Sequence, residues 1–530
     1  MTINILAQYF IILQFGGTKY KWTTLQHNGV IFPPLYKYNK IPLIYNGKEY
    51  ILNPLAEEFL TYYVKYLNSD YIKKSQFKKN FWKDFKKILK NNDIKSLDVD
   101  VCDFKYFIKY LENKQKKDKI IIDDDLEQYK FAYIDGKKTS VGNFRIEPPG
   151  IFLGRGNHPK LGKLKFRIYP EDIILNLDKS SPVPKTLEGH KWGKTIHDRN
   201  VEWLASWKDN ISGKTKYVWL GNDSNLKMKN DMEKFDLARK LKKQINTIRK
   251  ENDINLRSSD KTLKQLATAL YLIDTLALRV GNEKSDDESD TVGVTSLRVE
   301  HITILDNNKI KLDFYGKDSV RYVKELQVNE NVYTNIKEFM KNKDDNLFDL
   351  INSNSLNKYL QTFMIELTAK VFRTFNASNL FYEELNKITE KYDKYNKPDK
   401  VQLLLDLFNQ ANTKVACLCN HQKNISNNHN EQIKKISDRI ELLKDKLEEY
   451  KLKGKDISKI KLMIEKLKRK KILKKELKNL SLGTSKINYI DPRITISFLK
   501  KHKLPIEKIF TKTLIQKFKW AFDVDEKWIF

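Results

Sequence analysis

The chain has 530 residues and carries 99 Lys and Arg against 68 Asp and Glu, a formal net charge of +31. That length exceeds what one compact core holds and sets an expectation of two to four domains. The charge calls for a polyanionic partner: nucleic acid, an anionic membrane surface or an acidic protein. A 40% hydrophobic and 12% aromatic share excludes a purely solvated basic tail, and three cysteines exclude a disulfide framework and fit a reducing compartment.

The first apolar run, INILAQYFIILQFGG (3–17), lacks a basic leading region, is broken by Asn4, Gln8 and Gln14, and ends without a small-residue cleavage site. It does not read as a secretory signal, and no other segment approaches the roughly 18–20 apolar residues of a membrane span. From Trp22 to about Gly221, short alternating runs such as IPLIYNGKEYIL and FRIEPPGIFLGRGNHPKLGKLKFRIYP are punctuated by Gly and Pro. They predict strands and loops around a helical stretch at 56–91, where Phe59, Tyr62, Tyr63 and Tyr66 recur near helical spacing: a mixed α/β half.

Beyond about Asn225 the pattern turns helical. In SSDKTLKQLATALYLIDTLALRVGN, Leu263, Leu266, Leu270, Ile273 and Ala277 step by three and four and Gly281-Asn282 supply a stop, which puts Arg279 in the last turn. IKLDFYGKDSVRY alternates Ile310, Leu312 and Phe314, breaks at Gly316 and resumes with Val320 and Tyr322, a hairpin with Lys317 in its turn. Two further helices are expected to end in LTAKVFRTFNAS (367–378) and VACLCNHQ (415–422). Between 431 and 480, Ile433, Ile436, Ile440, Leu443, Leu447 and Tyr450 form one apolar series. After Gly454 a second series runs through Ile460, Met463 or Ile464, and Leu467, an antiparallel helical hairpin with a strongly basic face at LKRKKILKK.

Phosphate-loop machinery is missing, because neither Gly193-Lys194-Thr195 nor Gly213-Lys214-Thr215 has the glycine required five positions earlier. SDDESD (285–290) reads as a solvated loop rather than a cation site. Cys417, Cys419 and His421 have the wrong spacing for zinc and no second pair, so the cysteines read as small apolar residues. No metal and no cofactor is expected.

Tyr489 stands out by its surroundings. In GTSKINYIDPR (483–493), Asp491-Pro492 reads as an N-cap followed by Pro at the first helical position, so Tyr489 sits at a helix boundary, the kind of access a nucleophile needs. SKINYIDPRIT (485–495), ALRVGNEK, GKDSVRY, LTAKVFRTFNAS and LCNHQ together resemble the eukaryotic-type DNA topoisomerase IB family, over nearly the whole chain from Trp22 to Phe530. Carried over residue by residue, the resemblance implies Tyr489 as nucleophile with Arg279, Lys317, Arg373 and His421 as its catalytic partners. EPPGIFLGRGNHPKLG resembles the family's backbone-contacting segment, which implies that Arg155, His158 and Lys160 meet DNA; the resemblance implies Lys486, Asn488 and Asp318 as further DNA contacts. Leu153 departs from the family, which commonly has Arg there, and the family's long basic N-terminal extension does not precede Trp22.

The chemistry fits that set. A phenol with a pKa near 10 attacks a phosphodiester only if the phosphate is neutralised, which two guanidiniums and a His donor can do, while a Lys can protonate the leaving 5′ oxygen. The resemblance implies a multidomain α+β protein. A mixed α/β clamp lid at 22–224 follows an N-terminal segment at 1–21, with a cap lobe at about 37–108. A mostly helical, tyrosine-recombinase-like catalytic domain spans 225–423, an antiparallel coiled-coil linker 424–480, and a small helical C-terminal domain bearing Tyr489 481–530. It also implies a nuclear monomer acting on double-stranded DNA, with no membrane partner, and sensitive to camptothecin, which stacks beside the counterparts of Arg155, Asp318 and Asn488. The rivals are a tyrosine recombinase or integrase with the same residue set, and a basic coiled-coil chromatin protein in which Tyr489 merely packs.

Overall fold

The computed structural model describes residues 20–89, 101–117, 124–282, 284, 288–341, 345–395, 398–423 and 428–530. The 3–17 run, Glu283 of ALRVGNEK and Ser285–Asp287 of the acidic run lie outside the described residues. The architecture is mixed α+β and divides into two compact units, Met1–Met228 with Ser285–Ser289, and Lys229–Lys284 with Asp290–Phe530.

The first unit has two cores. Around one, the antiparallel strands Leu25–His27, Phe131–Ile134 and Lys137–Ser140 bury residues such as Trp22, Leu25 and Ala132. A four-stranded sheet ordered Lys194–Ile196, Ile174–Asn176, Trp203–Lys208, Thr215–Trp219 adds Leu175 and Trp207; its first pair is parallel. The second core lies between the strands Pro42–Tyr45, Lys48–Ile51 and Cys102–Asp103 and three helices, Pro54–Val64, Ser75–Ile88 and Lys105–Lys117.

The helix expected at 56–91 is two helices. Asn53 caps the first, with Pro54 at its first position. After Lys65 the backbone bonds shorten to three-residue turns, Tyr66 N to Tyr63 O and Ser69 N to Tyr66 O, through the turn formers Asn68, Ser69 and Asp70. Folding back there lets the Tyr63 ring stack on Phe81 at 4.3 Å, which a continuous helix would forbid.

The second unit is built on one large core. The helix Lys261–Leu276, N-capped by Asp260, buries Leu270, Leu272 and Ile273. The sheet Ile302–Leu305, Lys309–Gly316, Val320–Gln327 turns Ile310, Leu312, Phe314 and Tyr322 inward, as the alternation predicts. Most of the helix Asn225–Asn255, which buries Ala238, Leu241 and Ile245, and helices Glu330–Met340, Ser353–Phe363, Ala369–Tyr392, Lys400–Leu418, Leu482–Asn488 and Pro492–His502 join it.

Helices His429–Leu452 and Ser458–Glu476, joined by a turn holding Gly454 at φ +64°, pack through Ile440, Leu443, Ile460 and Ile464. Met463 is 47% exposed, so Ile464 is the inward member of that alternative. Among the described residues no helix is long and apolar enough to cross a membrane.

Candidate active site

Arg279 does not lie in the last turn of its helix. The helix stops at Leu276, and Ala277 takes a left-handed conformation, φ +50°, ψ +35°. The chain then runs extended against 293–295, with Val294 N donating to Arg279 O (2.9 Å) and Thr295 N to Val280 O (2.7 Å). Gly281 permits the approach, since a side chain there would meet Gly293 Cα at 2.7 Å. Arg279 is thereby exposed at the mouth of a pocket.

Lys317 occupies the turn the hairpin predicts, closed by the Gly316–Val320 pair. The next two residues, Asp318 and Ser319, both adopt positive φ (+69° and +56°), unusual for non-glycine residues and a strain that clusters at functional sites. Lys317 and Asp318 are exposed at its tip.

Arg373 lies in the opening turns of the helix Ala369–Tyr392, not at a helix end. The helix begins where Thr368 is extended and continues because residues 379–392 contain neither Gly nor Pro. The residue is 5% exposed, and its guanidinium donates from Nη1 to Ala277 O (2.7 Å) and from Nη2 to Cys419 O and leaves Nε without a hydrogen-bond partner. Among the described residues no carboxylate pairs with it.

His421 follows the end of the helix Lys400–Leu418, where Asn420 turns at φ +50° and His421 N donates to Ala416 O. Its Nδ1 lies 2.8 Å from Ser485 Oγ. Burial first, then Arg373 and Arg279, push its pKa down to about 3, so the imidazole is neutral at physiological pH. Cys417 is exposed while Cys419 is buried with its carbonyl on Arg373.

Tyr489 is the C-cap of the helix Leu482–Asn488, and Asp491 caps the next helix by accepting from Arg493 N, as expected of Asp-Pro. Ser378 Oγ donates to Tyr489 O (2.9 Å). The phenol ring stacks against His421, 5.2 Å between centroids, and lies 4.9 Å from the Arg373 guanidinium. No hydrogen bond among the described residues holds its hydroxyl.

Arg279, Lys317, Asp318, Arg373 and His421 line one pocket of about 130 Å³, together with Thr484. Segments up to 142 residues apart in sequence thus present three cations, one carboxylate and a neutral imidazole to one small volume, next to a phenol. Such a site suits a tetrahedral oxyanion.

Other expected contacts are placed elsewhere. Lys486 turns away from the pocket to donate to Ile509 O (3.2 Å), and burial lowers its pKa. Asn488 is exposed and donates to Thr484 O. Arg155, His158 and Lys160 belong to the first unit, on a loop whose Gly154 and Gly156 have φ of +56° and +59°. There Gln76 and Asn80 hold Pro159 O, His158 Nδ1 accepts from Lys160 N, and Arg155 is exposed. Leu153 packs against the second core of that unit. Sequence reasoning missed Ser485 and the buried Tyr322 hydroxyl; the first was findable as the residue one helical turn before Tyr489.

Three family models together match most of residues 20–530. The DNA binding fragment of eukaryotic DNA topoisomerase I covers residues 20–220, its catalytic core 223–453, and the C-terminal topoisomerase domain 461–530. DNA topoisomerase 1 alpha of Arabidopsis thaliana is 43% identical over 97% of this chain and 60% of its own length. The DNA topoisomerase 1 of Candidozyma auris is 38% identical over 97% and 84%, and that of Mus musculus 39% over 96% and 71%. The chain therefore belongs to the eukaryotic DNA topoisomerase I family. It spans 60% of the length of the two plant relatives.

Proposed function

We propose that this chain is a type IB DNA topoisomerase, which relaxes supercoils by cutting one strand, letting it rotate and resealing it. The observation that carries the reading is the packing of the Tyr489 ring against Arg373 and His421, beside the pocket they share with Arg279 and Lys317. Tyr489 Oη attacks the phosphorus of a backbone phosphodiester, a 3′-phosphotyrosine bond forms, and the bond to the 5′ oxygen breaks. Arg279 and Arg373 hold the non-bridging oxygens with charge-assisted bonds, and neutral His421 adds a donor that strengthens as charge builds in the transition state. Lys317, on a hairpin tip suited to enter a groove, gives the leaving 5′ oxygen its proton. The free 5′ end rotates, and the reverse steps restore the strand.

In this reading residues 22–224 form a clamp lid whose Arg155, His158 and Lys160 hold the DNA backbone, 225–423 the catalytic domain, 424–480 a linker and 481–530 the nucleophile's domain. The enzyme works as a monomer in the nucleus and is poisoned by camptothecin. Affinity comes mainly from phosphate contacts, so binding weakens steeply with salt. The test is relaxation of positively and negatively supercoiled plasmid in excess chelator without nucleotide. Wild type is expected to relax both, and Tyr489→Phe to bind DNA but relax neither. Failure of wild type, or relaxation by Tyr489→Phe, contradicts the reading.

A further inference from the structure

Ser485 touches both halves of the candidate site. It is fully buried, its Oγ lies 2.8 Å from His421 Nδ1, and its backbone carbonyl accepts from both Tyr489 N and Ile490 N at 3.0 Å. One residue thus ties the imidazole to the turn that carries the nucleophile, across 64 positions of sequence.

The other ring nitrogen defines the problem. Arg373 Nη2 lies 3.4 Å from His421 Nε2, and a guanidinium only donates, so in this state Nε2 accepts and the single proton of the neutral ring sits on Nδ1, directed to Ser485 Oγ. Donation to a phosphate in the pocket requires that proton on Nε2, and Nδ1 then needs a donor of its own. A hydroxyl satisfies both states by rotating its O–H; a carbonyl, a carboxylate or an ammonium satisfies one only.

We propose that Ser485 is a positioning residue for His421: its hydroxyl accepts from Nδ1–H in the free protein and donates to Nδ1 when an anion fills the pocket, which turns Nε2–H onto the phosphate. The proton passes from Nδ1 to Nε2 through pocket water, the ring stays neutral, and no proton is gained or lost overall. This role rests on the reading of the site given above.

The test is single-turnover cleavage of a duplex whose cut end dissociates, so that resealing is blocked, with DNA affinity measured separately. Ser485→Ala is expected to slow covalent adduct formation about tenfold, the worth of one buried hydrogen bond, with affinity changed less than twofold. In a His421→Gln background the same substitution is expected to change the rate less than twofold, because the group through which Ser485 acts is gone. An equal slowing in both backgrounds, or no slowing in the wild-type background, overturns the role. If Ser485→Ala melts, Ser485→Cys keeps the volume with a weaker donor, and the same two-background comparison decides. A wild-type chain that forms no adduct removes the underlying reading and this role together; an adduct that forms normally in Ser485→Ala removes this role alone.

Discussion

Two arginines in the unit that carries Tyr489 lie almost wholly out of solvent, and they are held in opposite ways. Arg493, 8% exposed, pairs with both oxygens of Asp491, reaches Asp236 at 2.7 Å, and lies 5.3 Å and 5.0 Å from the Trp520 and Trp528 rings. Its charge is spent inside the protein, on carboxylates. Arg373, 5% exposed, meets the carbonyls of Ala277 and Cys419, the edge of His421 and the face of Tyr489. Carbonyl dipoles orient a guanidinium but do not neutralise it, so Arg373 keeps a net charge beside the pocket. A buried cation without a counter-ion is costly to maintain, whereas one with two carboxylates is a structural clasp. The same residue type at the same burial is thus left with an unneutralised charge in one place and clasped by carboxylates in the other.

The largest expected effect is on the unpaired arginine. Arg373→Ala should slow single-turnover cleavage by about 10²- to 10³-fold, as removal of one preorganised oxyanion donor does. Its thermal midpoint should fall far less than that of Arg493→Ala. Arg373→Lys should not recover the rate, because an ammonium cannot reproduce the planar fork that grips two carbonyls.

Arg493→Ala should show the reverse pattern. Removing one partner of a buried ion pair strands Asp491 and costs about 3–5 kcal/mol of stability in denaturant titration, while the folded fraction cleaves within about tenfold of wild type. If the two variants have the same profile, the contrast between them fails.

A smaller effect concerns the imidazole beside Arg373. The folded pKa of His421 is about 3, against 6.5 for an unperturbed His, so the unfolded chain binds a proton on it between those values and the folded chain does not. This part of the stability is complete above pH 6.5 and is lost as pH falls toward 3. His421→Gln should therefore lose less stability than wild type between pH 6.5 and 4.5, and the wild-type cleavage rate should show no inflection near 6.5 assignable to His421. A His421 resonance that titrates near 6.5 in the folded protein would show that neither burial nor the guanidiniums depress it.

Local chemistry made part of this legible in the sequence. Asp491-Pro492 specifies a helix start wherever it occurs, and the alternation around Gly316 specifies a hairpin that puts Lys317 at its tip. The two-helix hairpin followed from its 3,4 spacing, and only the packed helices separate Ile464 from Met463. What failed were endings. The helix before Arg279 stops four residues earlier than Gly281 suggests, because Ala277 bends left-handed to give its carbonyl to Arg373, a contact 96 positions away. The first long helix breaks so that Tyr63 can stack on Phe81. In each case a tertiary partner distant in sequence overrode the local signal. The five residues that gather at the pocket and beside it were named through a family resemblance; periodicity and spacing placed their elements but could not have brought Arg279, Lys317, Arg373, His421 and Tyr489 together.

The central claim is that Tyr489 becomes covalently bound to a 3′ phosphate. Trapping the chain on a duplex that cannot be resealed, digesting the adduct with protease and sequencing the nucleotide-linked peptide by mass spectrometry tests this directly. The account predicts a peptide from the Leu482–Asp491 region with the nucleotide on Tyr489, joined through a 3′ phosphate and leaving a free 5′ hydroxyl on the other fragment. A link through any other residue, or through a 5′ phosphate, would contradict it.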